Sequence, residues 1–184
     1  MRNPMNWALA PLIVLSLAAC GDKTAKTDGV ATATPSPSSK TLAAAIDDAG
    51  DLDTLDGIID NAGLSGVLEG KGPYTVFAPA NAALGTAGGD LSGDAMKAQS
   101  AALLRAHIVP GALTRADILS AIARGGAGGV QMRTMADDLL TFSKDGEAVV
   151  VTAADGATAR LTGDEMVVTN GVVQPVDGML VKAR

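Results

Sequence analysis

Aromatic side chains are nearly missing from this chain. They make up 2% of its 184 residues: Trp7, Tyr74, Phe77 and Phe142. Any core must therefore be packed from Ala, Val, Leu and Ile, each large aliphatic adding about 1.5–3 kcal/mol when fully buried. A hydrophobic fraction of 47% supplies enough of them. The same scarcity limits sugar recognition by ring stacking. There is one cysteine, Cys20, which excludes an internal disulfide, and one histidine, His107. Together they cannot make the several-ligand Cys/His set that a zinc site requires. Basic clusters are missing too, and the formal charge is −6, which argues against nucleic acid as a partner.

What is present begins with a leader. Arg2 is followed by an apolar run from Trp7 to Leu17, then by Leu17-Ala18-Ala19-Cys20. A charged start, a short apolar stretch and small residues at the cut form a secretory signal. The run is too short for a membrane span, which takes about 20 residues. An aliphatic residue, two small ones and a cysteine match the bacterial lipobox, so residues 1–19 are expected to be a cleaved signal peptide and Cys20 the lipidation site. Two or three acyl chains give stable anchoring where one is marginal. Gly21, rather than Asp, after the cysteine implies sorting to the outer membrane, on its periplasmic face or the cell surface. Gly21 to Lys40 is rich in Thr, Ala, Ser and Pro with Val30 its only large apolar residue. It is expected to be a disordered linker, reaching roughly 25 Å at ~5–6 Å × √n.

Residues 41–184 read as one domain. Leu42, Ile46 and Ala49, then Leu52, Leu55, Ile58, Ile59 and Ala62, recur at helical spacing. Tyr74–Pro79 is a short strand. A helix is expected from about Gly93 to Ala106, and another after Thr114-Arg115-Ala116-Asp117, a capping box with Asp in place of the usual Glu or Gln. Gly125–Gly129 is expected to be a flexible loop. Strands follow, separated by Asp145-Gly146, Asp155-Gly156 and Asn170-Gly171 turns. Pro175 places the last strand at a sheet edge or bulge. Helices first and strands afterwards indicate an α+β domain with mostly antiparallel sheet.

Catalytic motifs fail on inspection. The acids Asp47, Asp48, Asp51, Asp53, Asp56 and Asp60 do not form a calcium loop, because an oxygen ligand is needed where Leu55 stands and glycine where Asp56 stands. They read as a solvated helical face. Gly63-Leu64-Ser65-Gly66-Val67 lacks the closing glycine of a nucleophile elbow. Gly125–Gly129 leads into a strand rather than a helix, so it is no dinucleotide fingerprint. No pair of carboxylates is marked for hydrolysis. His107, at the end of an apolar face, is expected to be a hydrogen-bonded structural residue. No cofactor and no metal are expected.

Three segments resemble the signatures of fasciclin (FAS1) domains: Tyr74 to Leu84, Leu103 to Gly111, and Thr169 to Leu180. They occur in the family's order, and the resemblance covers residues 41–184. It implies a wedge of two β-sheets in a sandwich, flanked by several helices on one side. It also implies an extracellular or surface-anchored role in adhesion, matrix interaction or surface glycans. The signature residues kept are Phe77, Pro79, Asn81, His107, Pro110, Gly111, Asn170, Gly171 and Asp177. Phe77 is expected in the core, Pro79 as a strand terminator and Gly171 as a positive-φ turn residue. Two departures stand out. Ala106 replaces the tyrosine before the central histidine, so integrin binding linked to that pair in animal members is not carried over. Gln174 and Pro175 replace a histidine and an aliphatic, so a shorter or bulged closing strand is expected.

The combined expectation is a non-catalytic binding or adhesion module, anchored to the membrane by its lipid and contacting an extracellular or periplasmic protein or glycan. The alternative is an envelope hydrolase or small-ligand carrier at the membrane face, which would need a pocket with convergent polar groups.

Overall fold

Thr41 starts the first helix because its hydroxyl accepts a hydrogen bond from the Ala44 N–H at 3.3 Å while its backbone stays extended. A computed structural model describes residues 37–86, 91 and 93–182. The signal sequence, Cys20 and most of the expected linker lie outside the described residues. The described residues belong to one unit, Thr34–Arg184. Its helices are α1 (Leu42–Asp47), α2 (Asp53–Ala62), α3 (Ser65–Glu69), α4 (Asn81–Thr86), α5 (Lys97–His107) and α6 (Arg115–Gly125). Its strands are β1 (Tyr74–Pro79), β2 (Ile108–Pro110), β3 (Val130–Arg133), β4 (Leu139–Asp145), β5 (Ala148–Ala153), β6 (Thr158–Arg160), β7 (Met166–Val168) and β8 (Gly171–Val176).

The strands form two four-stranded sheets. The first has the order β2-β1-β8-β7 and the second β3-β4-β5-β6. Every pairing is antiparallel except β1 with β8, which are the first and last strands of the domain. Strand alternation separates two cores. Val76 and Ala78 on β1 and Val173 on β8 join Leu42, Leu55, Ile59, Leu68 and Leu104 from the helices. Phe77 and Val176, one residue out of phase, turn to the other side and meet Phe142, Val149 and Val151 of the second sheet. The first sheet is thus covered by helices on one face and by the second sheet on the other. This is why β1 reads as an unbroken apolar run, as a strand buried on both faces should. The Phe77 and Phe142 rings lie 5.2 Å apart at 44° and join the two sheets.

Four local expectations need correction. First, the helix expected from Gly93 is α5, beginning at Lys97 after a single 3₁₀ turn at Asp94–Met96. Second, the Gly125–Gly129 run is ordered: it ends α6, makes a 3₁₀ turn at Gly126–Gly128 and enters β3. Gly129 has φ +70, and a β-carbon there would lie 2.3 Å from the Phe142 carbonyl oxygen, so this glycine allows the chain to pack closely against β4 as it enters β3.

Third, β8 is neither shortened nor bulged, and it is not an edge strand. It pairs residue for residue with β1 from Tyr74↔Gly171 to Pro79↔Val176. Pro175 is tolerated because its imino nitrogen faces away from β1, beyond the point where β7 stops at Met166↔Val173. Its carbonyl accepts from the Thr162 N–H on that side. Fourth, order begins before Thr41. The Ser38 N–H donates to the Val167 carbonyl at 2.8 Å, and the Thr169 N–H donates to the Lys40 carbonyl at 3.0 Å. The last linker residues therefore lie along the free edge of β7.

Candidate binding surface

Most signature residues are joints of the backbone. Asn170, 6% exposed between β7 and β8, accepts the Leu42 N–H through Oδ1 at 2.8 Å. Its Nδ2 donates to the Leu68 and Gly70 carbonyls, both at 2.7 Å. One amide side chain thereby ties α1, α3 and the β7–β8 turn together. Asn81 acts similarly, accepting from the Thr54 N–H at 3.0 Å and donating to the Gly50 carbonyl at 2.9 Å, so it fixes the start of α2. Pro79 is buried and ends β1. Pro110 ends β2, and the Gly111 N–H donates to the Pro73 carbonyl. The buried Thr75 hydroxyl holds this turn, donating to the Gly111 carbonyl at 2.7 Å and accepting from the Leu113 N–H at 2.9 Å.

Gly171 does not have positive φ; it is absent from the left-handed residues of the chain. The need for glycine is steric. A β-carbon there would lie 1.9 Å from the Tyr74 carbonyl oxygen and 2.9 Å from Leu42 Cδ1.

His107 is fully buried. Its Nδ1 lies 2.8 Å from the Leu103 carbonyl, and its Nε2 accepts the Leu180 N–H at 3.0 Å. An accepting Nε2 places the ring proton on Nδ1, which donates to Leu103. Burial lowers the imidazole pKa to about 4, against a smaller upward pull from the Leu103 bond. With both nitrogens engaged and no exposure, the ring is not presented to a ligand.

A second polar cluster has no counterpart among the sequence expectations. The Glu165 carboxylate accepts the Arg115 N–H at the start of α6 and the Gln174 Nε2, each at 2.6 Å. Gln174, fully buried, also donates to the Leu113 carbonyl at 3.1 Å. The Arg115 guanidinium donates to the Gly163 and Thr162 carbonyls and to Gln174 Oε1. A carboxylate at a helix N-terminus is favoured by the dipole. Thr114 and Asp117 complete the capping box there, and the bonds from Thr114 hold the Asp117 carboxyl below the usual carboxylate range. Gln174, in place of the family's frequent histidine, is thus the bridge between β8 and α6. The capping box signals the helix start, but nothing local signals Glu165, 50 residues away.

The open chemistry lies on the outer face of the second sheet. β4 and β5 bury alternate residues, which turns Thr141, Ser143, Asp145, Val150 and Thr152 outward. The register aligns Gln131, Thr141, Thr152 and Thr158 in one row across four strands. A groove of about 350 Å³ beside it is lined by Ser143, Asp145, Val150, Thr158, Ala159, Arg160 and Asp177. Arg160 pairs with Asp145 at 2.6 Å. Asp177 accepts the Arg160 N–H at 2.6 Å and returns its own N–H to the Arg160 carbonyl, fastening β6 to the end of β8. The face offers mainly hydroxyls and balanced charge, with the outward-facing Leu139 at the start of β4 and Val150 in the groove as its apolar members. Among the described residues, Leu139 is the exposed large hydrophobic.

The acids of α1 and α2 make a different surface. The Asp56 carboxyl is held above its ordinary range, first by partial burial and then by Asp60, Asp47 and Asp53. Asp56 and Asp60 are four residues apart on α2, where like charges cost about 0.2–0.5 kcal/mol. Asp56→Asn is accordingly expected to raise the melting temperature at neutral pH by about 1–2 °C, measured by circular dichroism. An unchanged or lower value would show that the repulsion is screened. Among the described residues, no group of three or more His, Cys, Asp or Glu is placed to hold a metal ion.

Two four-stranded sheets face to face, with helices on the outside of one and signature residues fastening the joints, define an α+β wedge of the fasciclin type. A family model described as the Fasciclin domain matches residues 50–182, and the chain belongs to the fasciclin domain family. No curated protein sequence matches it. Among solved structures it is similar to a FAS1 domain pair from the insect cell adhesion molecule Fasciclin I. The TM-score is 0.67 at 14% identity, covering 80% of this chain and 52% of that one. The chain therefore spans about half the length of that structure, and the likeness is one of fold.

Proposed function

We propose that the protein is a membrane-anchored, extracytoplasmic binding and adhesion module that performs no catalysis. The observation that carries this reading is the Fasciclin domain match over residues 50–182. The similar solved fold comes from an insect cell adhesion molecule. The anchor is the lipid on Cys20, set by Leu17-Ala18-Ala19-Cys20, and Gly21 directs it to the outer membrane, on the periplasmic face or the cell surface. The contact face is the outer side of the second sheet, where the hydroxyl row and the Asp145–Arg160–Asp177 groove lie. With one tyrosine and no tryptophan after the leader, the partner is held by many polar contacts rather than by stacked rings. A protein, or a glycan bound weakly, fits that surface.

Two measurements test this reading. Cys20→Ala is expected to release the protein from the membrane fraction or leave an unprocessed precursor; unchanged membrane association and processing would remove the anchor from the account. A strain lacking the protein is expected to lose aggregation or surface attachment, and normal values of both would remove the adhesion role.

A further inference from the structure

The segment from Asp177 to Lys182 has neither helix nor strand, yet it closes the second core: Leu180 is 2% exposed among the residues around Phe77 and Phe142. Polar bonds tie it down. The Asp177 N–H donates to the Arg160 carbonyl at 3.1 Å, the Leu180 N–H to His107 Nε2 at 3.0 Å, and the Lys182 N–H to Asp155 Oδ2 at 2.7 Å. The middle tie uses a titratable acceptor. We propose that His107 and Leu180 form an acid-released latch, in which protonation of the imidazole frees the middle of the segment, residues 178–181, between its two outer ties while the sheets stay folded.

The geometry allows one ring state. With Nδ1 donating to Leu103 and Nε2 accepting from Leu180, a second proton on Nε2 would set one N–H against another. No carboxylate is at hand to stabilise the cation. α2, which packs on α5, carries Asp53, Asp56 and Asp60, none of them bonded to the ring. The other charged residues of the surrounding elements are Lys97 and Arg105 on α5, Asp137 and Asp138 in the turn that bonds the end of α5, and Asp177 and Lys182 on the segment itself. These last six are exposed; β1 and β2 carry no charged residue. The outer tie persists in mild acid, because its bond from Lys182, ahead of the bond from Ala157, holds the Asp155 carboxyl below the usual range.

The pH window follows from linkage. In the closed state the imidazole pKa is about 4, against 6.5 when released. The released state binds more protons between these values, so the latch is fully closed above pH 6.5 and weakens as pH falls towards 4. Opening is favoured about twentyfold at pH 5 relative to pH 7. Asp177, at the root of the segment, also lines the groove on the second sheet. Asp177 stays tied to Arg160, but release frees its neighbour Gly178 and so loosens one end of the proposed contact face; that consequence rests on the adhesion reading, whereas the latch does not.

Hydrogen exchange on the full chain, corrected for the intrinsic pH dependence, tests the latch. The Leu180 amide is expected to lose about twentyfold protection between pH 7 and pH 5, the Lys182 amide to change less because its tie to Asp155 holds, and β5 amides to stay better protected than Leu180 at both pH values. His107→Gln is expected to abolish the difference between the two pH values. Should that variant not fold, the wild-type ring decides, since His107 is the sole histidine. Its NMR titration is expected to have a midpoint well below 6.5, with the Leu180 amide shift following it. Protection of Leu180 that is flat with pH, Leu180 as well protected as β5 at both pH values, pH-dependent protection that survives in His107→Gln, or a ring titrating near 6.5 without Leu180 would each overturn the proposal.

Discussion

Gly171→Ala is expected to unfold the domain or leave it barely stable at 25 °C. The added β-carbon would lie 1.9 Å from the Tyr74 carbonyl oxygen and 3.0 Å from its carbon. Both are backbone atoms of β1, the strand that pairs with β8 along its whole length. A flexible side chain could swing aside, but a central strand cannot move without breaking the only parallel ladder among the described residues. Overpacking a core typically costs about 1–3 kcal/mol where side chains can shift. A backbone collision exceeds that range and approaches the total stability of a domain, about 5–15 kcal/mol. Gly57→Ala is the matched control. Gly57 sits exposed inside α2, and a β-carbon added there would meet nothing within 4 Å. Alanine there is expected to stabilise by about 0.5–1 kcal/mol through helix propensity. Urea titrations of the two variants should move in opposite directions; a tolerated Gly171→Ala would show that the two strands are not so closely apposed.

Asn170→Ala is expected to cost about 3–9 kcal/mol, summing the desolvation of three backbone groups left without a partner at about 1–3 kcal/mol each. Those groups are the Leu42 N–H and the Leu68 and Gly70 carbonyls. Asn170→Asp separates shape from hydrogen bonding. It keeps an acceptor for Leu42 but turns a second oxygen towards two carbonyls, so it is expected to be destabilised as well, and less so in acid, where the carboxyl can donate. Equilibrium unfolding of both variants at pH 7 and pH 4 checks this. A cost under 1 kcal/mol for the alanine variant would mean that water replaces the amide.

These two positions show how much of the fold the sequence discloses. The order of helices and strands, the Thr114 cap and the burial of Phe77 can be read from spacing and residue type, because each depends on near neighbours. Gly171 stands out in the sequence as necessary, but a turn is the only reason its neighbours suggest. The real constraint comes from Tyr74, about a hundred residues earlier, and no local pattern carries it. Pro175 misleads for the same reason: proline speaks against a central strand only if its nitrogen faces a neighbour, and here β7 ends before reaching it. The glycine run at 125–129 reads as slack because composition does not report the close approach of Gly129 to the Phe142 backbone.

The candidate surface is still less legible. Arg160 sits in a strand with no motif around it and Asp145 is marked only as a turn residue, and the two meet through the β4–β5–β6 register. Asp177 is marked by the closing signature, but its bonds to Arg160 depend on β6 reaching the end of β8. Conversely, His107 attracts attention as the lone histidine, and burial explains why it is a joint.

The proposed function depends on contact without turnover, through the hydroxyl-lined side of β3–β6. Beads coated with residues 37–184 and mixed with cell envelopes measure it most directly. Saturable attachment, competed by the free protein and weakened by Arg160→Glu in a variant of unchanged stability, is the predicted result. Beads that remain bare at every coating density, or attachment indifferent to free competitor and to the Arg160 change, would contradict it.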